Sequence, residues 1–407
     1  MRKIFTILIL LNASFVFSAE NFWTKKAPFG GLKRERGISF AIGDFGYMGM
    51  GEDTASIVHN DLWQYDPTLD IWTQVATLPG SVRRNAITFT IDTLAYVGTG
   101  IDASESFLGN MLKDFWEYDA YTNTWTQKAD YPGGFGAGVY FSTGFSVDSK
   151  GYVCGGKIGA SSYVNDLWEY KPSVDTWLQR ADFPGGSRYQ HVSLTIGLLA
   201  YVGMGTDENV NRKDWWEYNP GTNIWTQMND FPGSERASAS TFTLGSRGYV
   251  LLGSNGGFMD DLWEYNQYWD SWSIRSSFPG GSRRNAGSFE INNKGYAGLG
   301  KGSGGIKQNF YEYTPILFIG IDENELEKNK LVVYPNPFSQ TATVVVNHTK
   351  LISKFSIHSI NGQEVSTGNP NSNQFTIEKG NLESGIYFIR LFDNENNFVA
   401  TQKITIQ

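Results

Sequence analysis

Six copies of one short pattern constrain this chain more than anything else in it. Asp-Leu-Trp-Gln-Tyr stands at 61–65, Asp-Phe-Trp-Glu-Tyr at 114–118, Asp-Trp-Trp-Glu-Tyr at 214–218, and Asp-Leu-Trp-Glu-Tyr at 166–170 and again at 261–265. A worn copy, Asn-Phe-Tyr-Glu-Tyr, occupies 309–313. The central aromatic falls at 63, 116, 168, 216, 263 and 311, so the steps are 53, 52, 48, 47 and 48 residues. Self-similarity at a period near 50 marks repeated supersecondary units that bury their faces only by stacking on one another.

Within each copy the alternation has period two, in short runs such as Phe40-Ala-Ile42, Tyr47-Met-Gly49 and Leu62-Trp-Gln-Tyr65, bounded by Gly, Asp or Asn. Aromatics make up 15% of the chain and glycines number 46, which suits many short strands and tight turns. Each copy reads as four strands, the third carrying Trp-Glu-Tyr and the fourth Trp-Thr-Gln. The expected fold is an all-β six-bladed β-propeller over 20–315. Trp23 begins as a fourth strand with no third strand before it, and Tyr311–Tyr313 is a third strand with no fourth after it. The N-terminal strand therefore completes the last blade and removes the open edge.

The pairs Tyr65 and Trp72, Tyr118 and Trp125, Tyr170 and Trp177, Tyr218 and Trp225, and Tyr265 and Trp272 each follow a glycine-bearing strand. In this pattern the region resembles kelch repeats of the galactose-oxidase-like kind. The adjacent Gly-Gly usual there survives only at Gly155-Gly156. A copper site of the oxidase type needs two His, a Tyr and a Cys–Tyr crosslink. Cys154 is the only cysteine and sits in a strand, so that activity and any internal disulfide are excluded.

The distance from the third-strand Trp to the fourth-strand Trp is nine everywhere, whereas second-to-third loops vary. Those loops emerge at the same end of the ring as the segments joining one blade to the next, and variable loops on a rigid frame are where binding sites collect. The longest, 101–113, neighbours the one lengthened inter-blade segment, Pro132–Gly138. Arg34, Arg83, Arg188, Arg236 and Arg283 recur six residues before the first-strand hydrophobe, with Val139 at the sixth position. They are expected to ring the channel mouth and hold an anionic or polyhydroxyl ligand by bidentate contacts, or else to tie loops to backbone carbonyls and carboxylates. Asp102 and Glu105 would rim a notch beside Val139. Glu117, Glu169, Glu217, Glu264 and Glu312 need partners on the buried face, which the same arginines would supply. Asp61, Asp114, Asp166, Asp214 and Asp261 are expected to cap loop backbone.

Catalytic signals are thin. The four histidines are His59, His191, His348 and His358, and no nucleophile triad, zinc spacing or phosphate loop stands out. No metal and no cofactor is expected. Trp269 on a turn offers one exposed ring for stacking on a sugar. A net charge of −8 argues against nucleic acid as a partner.

Both ends carry an address. Arg2-Lys3, the apolar run from Ile4 to Phe17 and the small pair Ser18-Ala19 read as a signal peptide over 1–19. Residues 316–330 are charged and read as a linker, and 331–407 alternate like a small β-sandwich. Tyr334-Pro-Asn-Pro-Phe338, Ile360-Asn-Gly-Gln-Glu-Val365, Leu382-Glu-Ser-Gly-Ile-Tyr-Phe388 and the closing Lys403-Ile-Thr-Ile-Gln407 make this tail similar to the C-terminal sorting domain of the type IX (Por) secretion system of Bacteroidota. That resemblance implies passage through the outer membrane by the type IX machinery, tail removal, and release or attachment at the cell surface. The expected product is a secreted or surface monomer with no transmembrane segment, binding a glycan or protein ligand. The alternatives are a sugar-active enzyme, since sialic-acid mutarotases are similar six-bladed kelch proteins, or a protein–protein scaffold.

Overall fold

The computed structural model describes residues 21–102, 111–207, 209–315, 331–346, 350–359, 363–395 and 397–407. The chain divides into two compact units, Met1–Ile316 and Leu317–Gln407. The expected leader and linker lie outside the described residues, as do Glu105 and His348.

The first unit is built from six antiparallel sheets with four main strands each. Sheet one runs Ile38–Ile42, Phe45–Asp53, Val58–Asp66, Ile71–Val75, and sheets two to five repeat the order with first strands Ile87–Ile91, Thr143–Val147, Val192–Ile196 and Ser240–Leu244. Sheet six takes Gly287–Ile291, Lys294–Gly298 and Phe310–Thr314 from the end of the unit, and Phe22–Lys26 from its start. The first strand of every sheet packs against the first strands of both neighbours, in a cycle that returns from sheet six to sheet one. This is the propeller arrangement, with the N-terminal strand closing the sixth sheet.

The repeating motif explains the geometry. In each sheet the third-strand tyrosine stands opposite the fourth-strand tryptophan, as Tyr65 opposite Trp72 and Tyr118 opposite Trp125, and Trp23 stands opposite Tyr313 in the same way. The fourth-strand indole then donates to a carbonyl arriving from the preceding sheet: Trp125 to Ala76 at 2.8 Å, Trp225 to Ala181 at 2.9 Å, and Trp23 to Ser276 at 3.0 Å. The tyrosine hydroxyl is held by a turn residue five positions on, Asp70 for Tyr65 and Asn223 for Tyr218, while Asn21 serves Tyr313. Aromatic wedges fill the space between sheets, with Phe40 stacked on Tyr47 at 4.9 Å and Tyr47 edge-on to Tyr118 at 5.8 Å. Second-strand glycines make room for them. A Cβ on Gly46 would come within 2.1 Å of the Phe289 ring, and one on Gly151 within 2.0 Å of Phe89.

The second unit is a two-sheet sandwich. Leu331–Tyr334, Thr341–Val346 and Gln374–Glu378 form one sheet, and Ile352–Ser359, Glu364–Gly368, Gly385–Asp393 and Phe398–Ile406 the other. Val333, Val344, Ile357, Ile389, Leu391 and Ile404 are buried together as its core.

Candidate functional site

The five arginines do not ring the channel mouth; they lie inside the blades and tie to carboxylates and backbone carbonyls, the second of the two expectations. Arg34, Arg83, Arg188, Arg236 and Arg283 are at most 2% exposed. Four reach the aspartate of the repeated motif in their own sheet: Arg34 to Asp61 at 2.5 Å, Arg83 to Asp114 at 2.5 Å, Arg188 to Asp214 at 2.6 Å, and Arg236 to Asp261 at 2.6 and 2.7 Å. Arg283 meets Asn309 at 2.8 Å, and burial without a carboxylate draws its guanidinium down to about 10. A second nitrogen contact goes to a second-strand carbonyl, such as Met50 at 3.1 Å or Leu252 at 2.9 Å. Four of the five guanidiniums also lie over a phenylalanine, Phe29, Phe183, Phe231 or Phe278, at 4.7 to 5.0 Å. These groups brace the frame, and apart from Arg188 Nε, which is buried and donates to no described acceptor, their donors are spent on it. Four of the aspartates accordingly serve the arginines and the neighbouring indoles, as Trp63 to Asp61 at 2.8 Å, while Asp166 takes its indole and the Gly134 backbone N–H. Burial would raise Asp61 and Asp261, but the guanidinium bonds and charge overcome it and hold both below the usual range.

The third-strand glutamates have other partners too. Tyr96 bonds Glu117 at 2.7 Å, Tyr152 bonds Glu169 at 2.9 Å, Tyr201 bonds Glu217 at 2.7 Å, Tyr249 bonds Glu264 at 2.8 Å and Tyr296 bonds Glu312 at 2.8 Å. The cations on them include Lys128, Arg180, Arg275 and Lys294, and none is a frame arginine.

Two residues past the frame-arginine position the chain enters the left-handed region in every sheet. Arg36, Asn85, Phe141, Gln190, Ser238 and Asn285 have φ between 52° and 62°. The backbone N–H of each donates to the carbonyl of its counterpart in the preceding sheet. Asn85 bonds Arg36 at 2.9 Å, Phe141 bonds Asn85 at 3.1 Å, Gln190 bonds Phe141 at 2.9 Å, Ser238 bonds Gln190 at 3.0 Å, Asn285 bonds Ser238 at 3.1 Å, and Arg36 bonds Asn285 at 3.4 Å. Six bonds thus close a circuit. The residue before each member pairs with one at or just past the end of the second strand, giving Arg84 with Ile101, Tyr140 with Lys157, Tyr189 with Thr206, Ala237 with Ser254, Arg284 with Lys301, and Glu35 with Glu52.

The side chains on this circuit are unevenly shared. Sheets six, one and two carry charge. Glu52 accepts from Arg36 at 3.1 Å and from Arg84, while buried Glu35 accepts from Asn285 at 3.0 Å with Lys301 at 3.8 Å. Arg284 lies 5.8 Å from the Phe258 ring and has no acidic partner among the described residues. The Nε groups of Arg36, Arg84 and Arg284 are buried and donate to no described acceptor. Sheets three and four carry rings. Tyr163 and Tyr189 stack at 5.2 Å with the Lys157 ammonium against them at 5.5 and 4.8 Å, and Phe141 sits 5.8 Å from Tyr189. Sheet five contributes the small residues Ala237, Ser238 and Ser254, with Phe258 paired to Ser254.

Of the other expected site residues, Asp102 follows Ile101 on this side of the ring and is half-buried. Val139 is fully buried. His59 bonds Asp53 at 3.0 Å, and His191 is buried with Nε2–H donating to the Cys154 carbonyl at 3.0 Å. Cys154 is itself buried and free. His358 is bonded to Ser356 in the tail. Trp269 is 60% exposed beside Tyr268, on a third-to-fourth-strand turn at the other end of the blades. Sequence reasoning stopped one or two residues short of the circuit; the doublets Arg83-Arg84 and Arg283-Arg284 and the pair Arg34 and Arg36 were the available signal.

Residues 332–407 match the family described as the secretion system C-terminal sorting domain. The tail is a secretion sorting domain. It supports export by type IX secretion, and the chain is secreted or held at the cell surface in Bacteroidota. No helix among the described residues is long and apolar enough to cross a membrane. The solved structure of YjhT, a kelch-type propeller, is similar with a TM-score of 0.58 at 16% identity, over 68% of this chain and 94% of that one. At that identity the likeness shows the propeller fold alone. No curated protein matches the chain.

Proposed function

We propose that this sorting domain exports a six-bladed kelch-type propeller, led by a cleaved signal peptide and trimmed of its tail outside the cell, which works as a binding module for an anionic glycan. The observation that carries the reading is the divided mouth. Guanidiniums stand on one arc, that of Arg284 with no acidic partner among the described residues, and a bank of aromatic rings stands on the other. A guanidinium fork suits a carboxylate or sulfate, and ring faces suit the C–H face of a sugar. Arg284 is the first residue to test, because no described group neutralises it. Binding of the secreted protein to a panel of neutral, carboxylated and sulfated glycans selects a ligand. Arg284→Ala then weakens that ligand on the order of tenfold, since a charge-assisted bond contributes about 1.5–3 kcal/mol. Unchanged affinity in both Arg284→Ala and Tyr189→Ala would sink the proposal. A second reading, a sugar-active enzyme, draws on the paired carboxylates Glu35 and Glu52 beside those arginines. Turnover of a bound glycan that is lost in Glu52→Gln would select it.

A further inference from the structure

Sheet three departs from the other five where the frame arginine should be. Val139 replaces the arginine, and Tyr131 replaces the Phe or Leu found at positions 29, 78, 183, 231 and 278. The two changes are spatially related. A Cβ built on Gly80, Gly185 or Gly280 would come within 2.7, 2.7 or 2.8 Å of Nη2 of the frame arginine, whereas one built on the counterpart Gly133 would come within 2.2 Å of the Tyr131 hydroxyl. The phenol oxygen therefore stands close to where a guanidinium nitrogen stands elsewhere.

This swap exchanges a cation for a neutral oxygen beside a carboxylate. Asp166 keeps the indole of Trp168 at 2.8 Å and gains the Gly134 N–H at 3.4 Å, both on Oδ2. Its Oδ1 is buried and bonded by no other described residue, and the fully buried Tyr131 hydroxyl is likewise without a partner. Asp114 also has an unbonded Oδ1, but its carboxylate carries the Arg83 charge. Burial raises Asp166 above the usual carboxylate range, where Asp61 and Asp261 are lowered. In the other sheets the guanidinium also serves a second-strand carbonyl, and the counterpart of Met50, Thr99, Met204, Leu252 and Leu299 here is Gly155, which shares their left-handed backbone.

We propose that sheet three holds a cation-binding site, in which a small monovalent cation or a ligand's ammonium group lies between Asp166 Oδ1, the Tyr131 hydroxyl and the Gly155 carbonyl, and supplies the charge that an arginine supplies in the other sheets. A single carboxylate with two neutral oxygens suits a monovalent charge, and the described residues hold no cluster of three or more metal-ligating acids, His or Cys. The three extra residues before Val139, with the tight turn Gly134–Gly136, let the backbone close over this carboxylate.

The test is thermal unfolding of the whole protein in sodium, potassium, methylammonium and tetramethylammonium chlorides at equal ionic strength. A saturable upward shift, about 2 °C at tenfold over the Kd, is expected with at least one of the first three relative to the bulky fourth. Sodium or potassium marks an inorganic ion, and methylammonium alone marks a ligand amine. The Tyr131→Phe/Val139→Arg double variant restores the pattern of the other sheets and is expected to melt at or above the parent with no cation-specific shift. Equal melting of the parent in all four salts overturns the proposal, as does an undiminished shift in Asp166→Asn.

Discussion

Replacing Arg236 by methionine separates bracing from binding. Met keeps the apolar stem and deletes the fork. The losses are two bonds to Asp261 at 2.6 and 2.7 Å, one to the Leu252 carbonyl at 2.9 Å, one to the Ser234 carbonyl at 3.1 Å, and the contact over Phe231 at 4.7 Å. Removing one partner of a buried ion pair costs about 3–5 kcal/mol. The Asp261 side chain is 25% exposed, so water recovers part of that and a loss of about 3 kcal/mol is the working figure. A unit of about 300 residues unfolds with an entropy near 0.6 kcal/mol/K, so Arg236→Met should lower Tm by about 5 °C. Arg236→Lys should lose a large part of this, because an ammonium cannot reproduce the fork. Calorimetry at pH 7 reads both. The loss has a pH signature. Burial raises Asp261, but Arg236 lowers it further, so the pair's contribution is complete above the ordinary carboxylate value of 3.8 and is lost as pH falls through the lower folded value. The gap between parent and variant should therefore narrow only in acid. Arg284→Ala, at the mouth, should melt within about 1 °C of the parent. An Arg236→Met protein melting as close as that would show that the frame arginines do not brace the blades.

Two further outcomes are expected. His191 is held near 3 by burial first and the Arg188 charge second; a base depressed from 6.5 gives full stability above that value and loses it as pH falls, by about 2 kcal/mol between pH 7 and pH 5. Urea unfolding at the two pH values should show this slope, and His191→Gln, which can still donate to the Cys154 carbonyl, should flatten it; a level parent would refute a buried neutral imidazole. Trp23→Ala removes an indole lying 5.0 Å from Phe278 and 5.1 Å from Tyr313, and should cost about 3 kcal/mol or about 5 °C, whereas an unchanged melt would mean the N-terminal strand contributes little to sheet six.

The frame was readable because its signals are local and repeated. The nine-residue step from Trp63 to Trp72 spans one hairpin whose register the structure reproduces in each sheet, and Trp23 betrayed its place by matching the fourth-strand pattern. The site was not readable to the same degree. A frame arginine such as Arg83 and a mouth arginine such as Arg84 are adjacent, and the sequence carries no mark of which one turns inward. The difference comes from backbone geometry: the left-handed residue at Asn85 and the bridge from Arg84 to Ile101 turn one side chain into the blade and leave its neighbour on the rim. The partners of Asp61 were missed for the same reason, since Arg34 stands 27 positions away and meets it only once the sheet has formed.

The circuit of six backbone bonds has a bearing on how such a protein can change. Its members are Arg, Asn, Phe, Gln, Ser and Asn, and what they share is a backbone angle and an N–H aimed at the next sheet, not a side-chain type. Holding a side chain other than glycine in that region costs of order 1 kcal/mol per residue, least for the two Asn, and none of the six positions carries a β-branched residue. Chemical identity at the rim is thereby uncoupled from the architecture beneath it. A lineage could exchange rim side chains on and beside the circuit, and with them the preferred ligand, while leaving every wedge, brace and hairpin of the blades as it was.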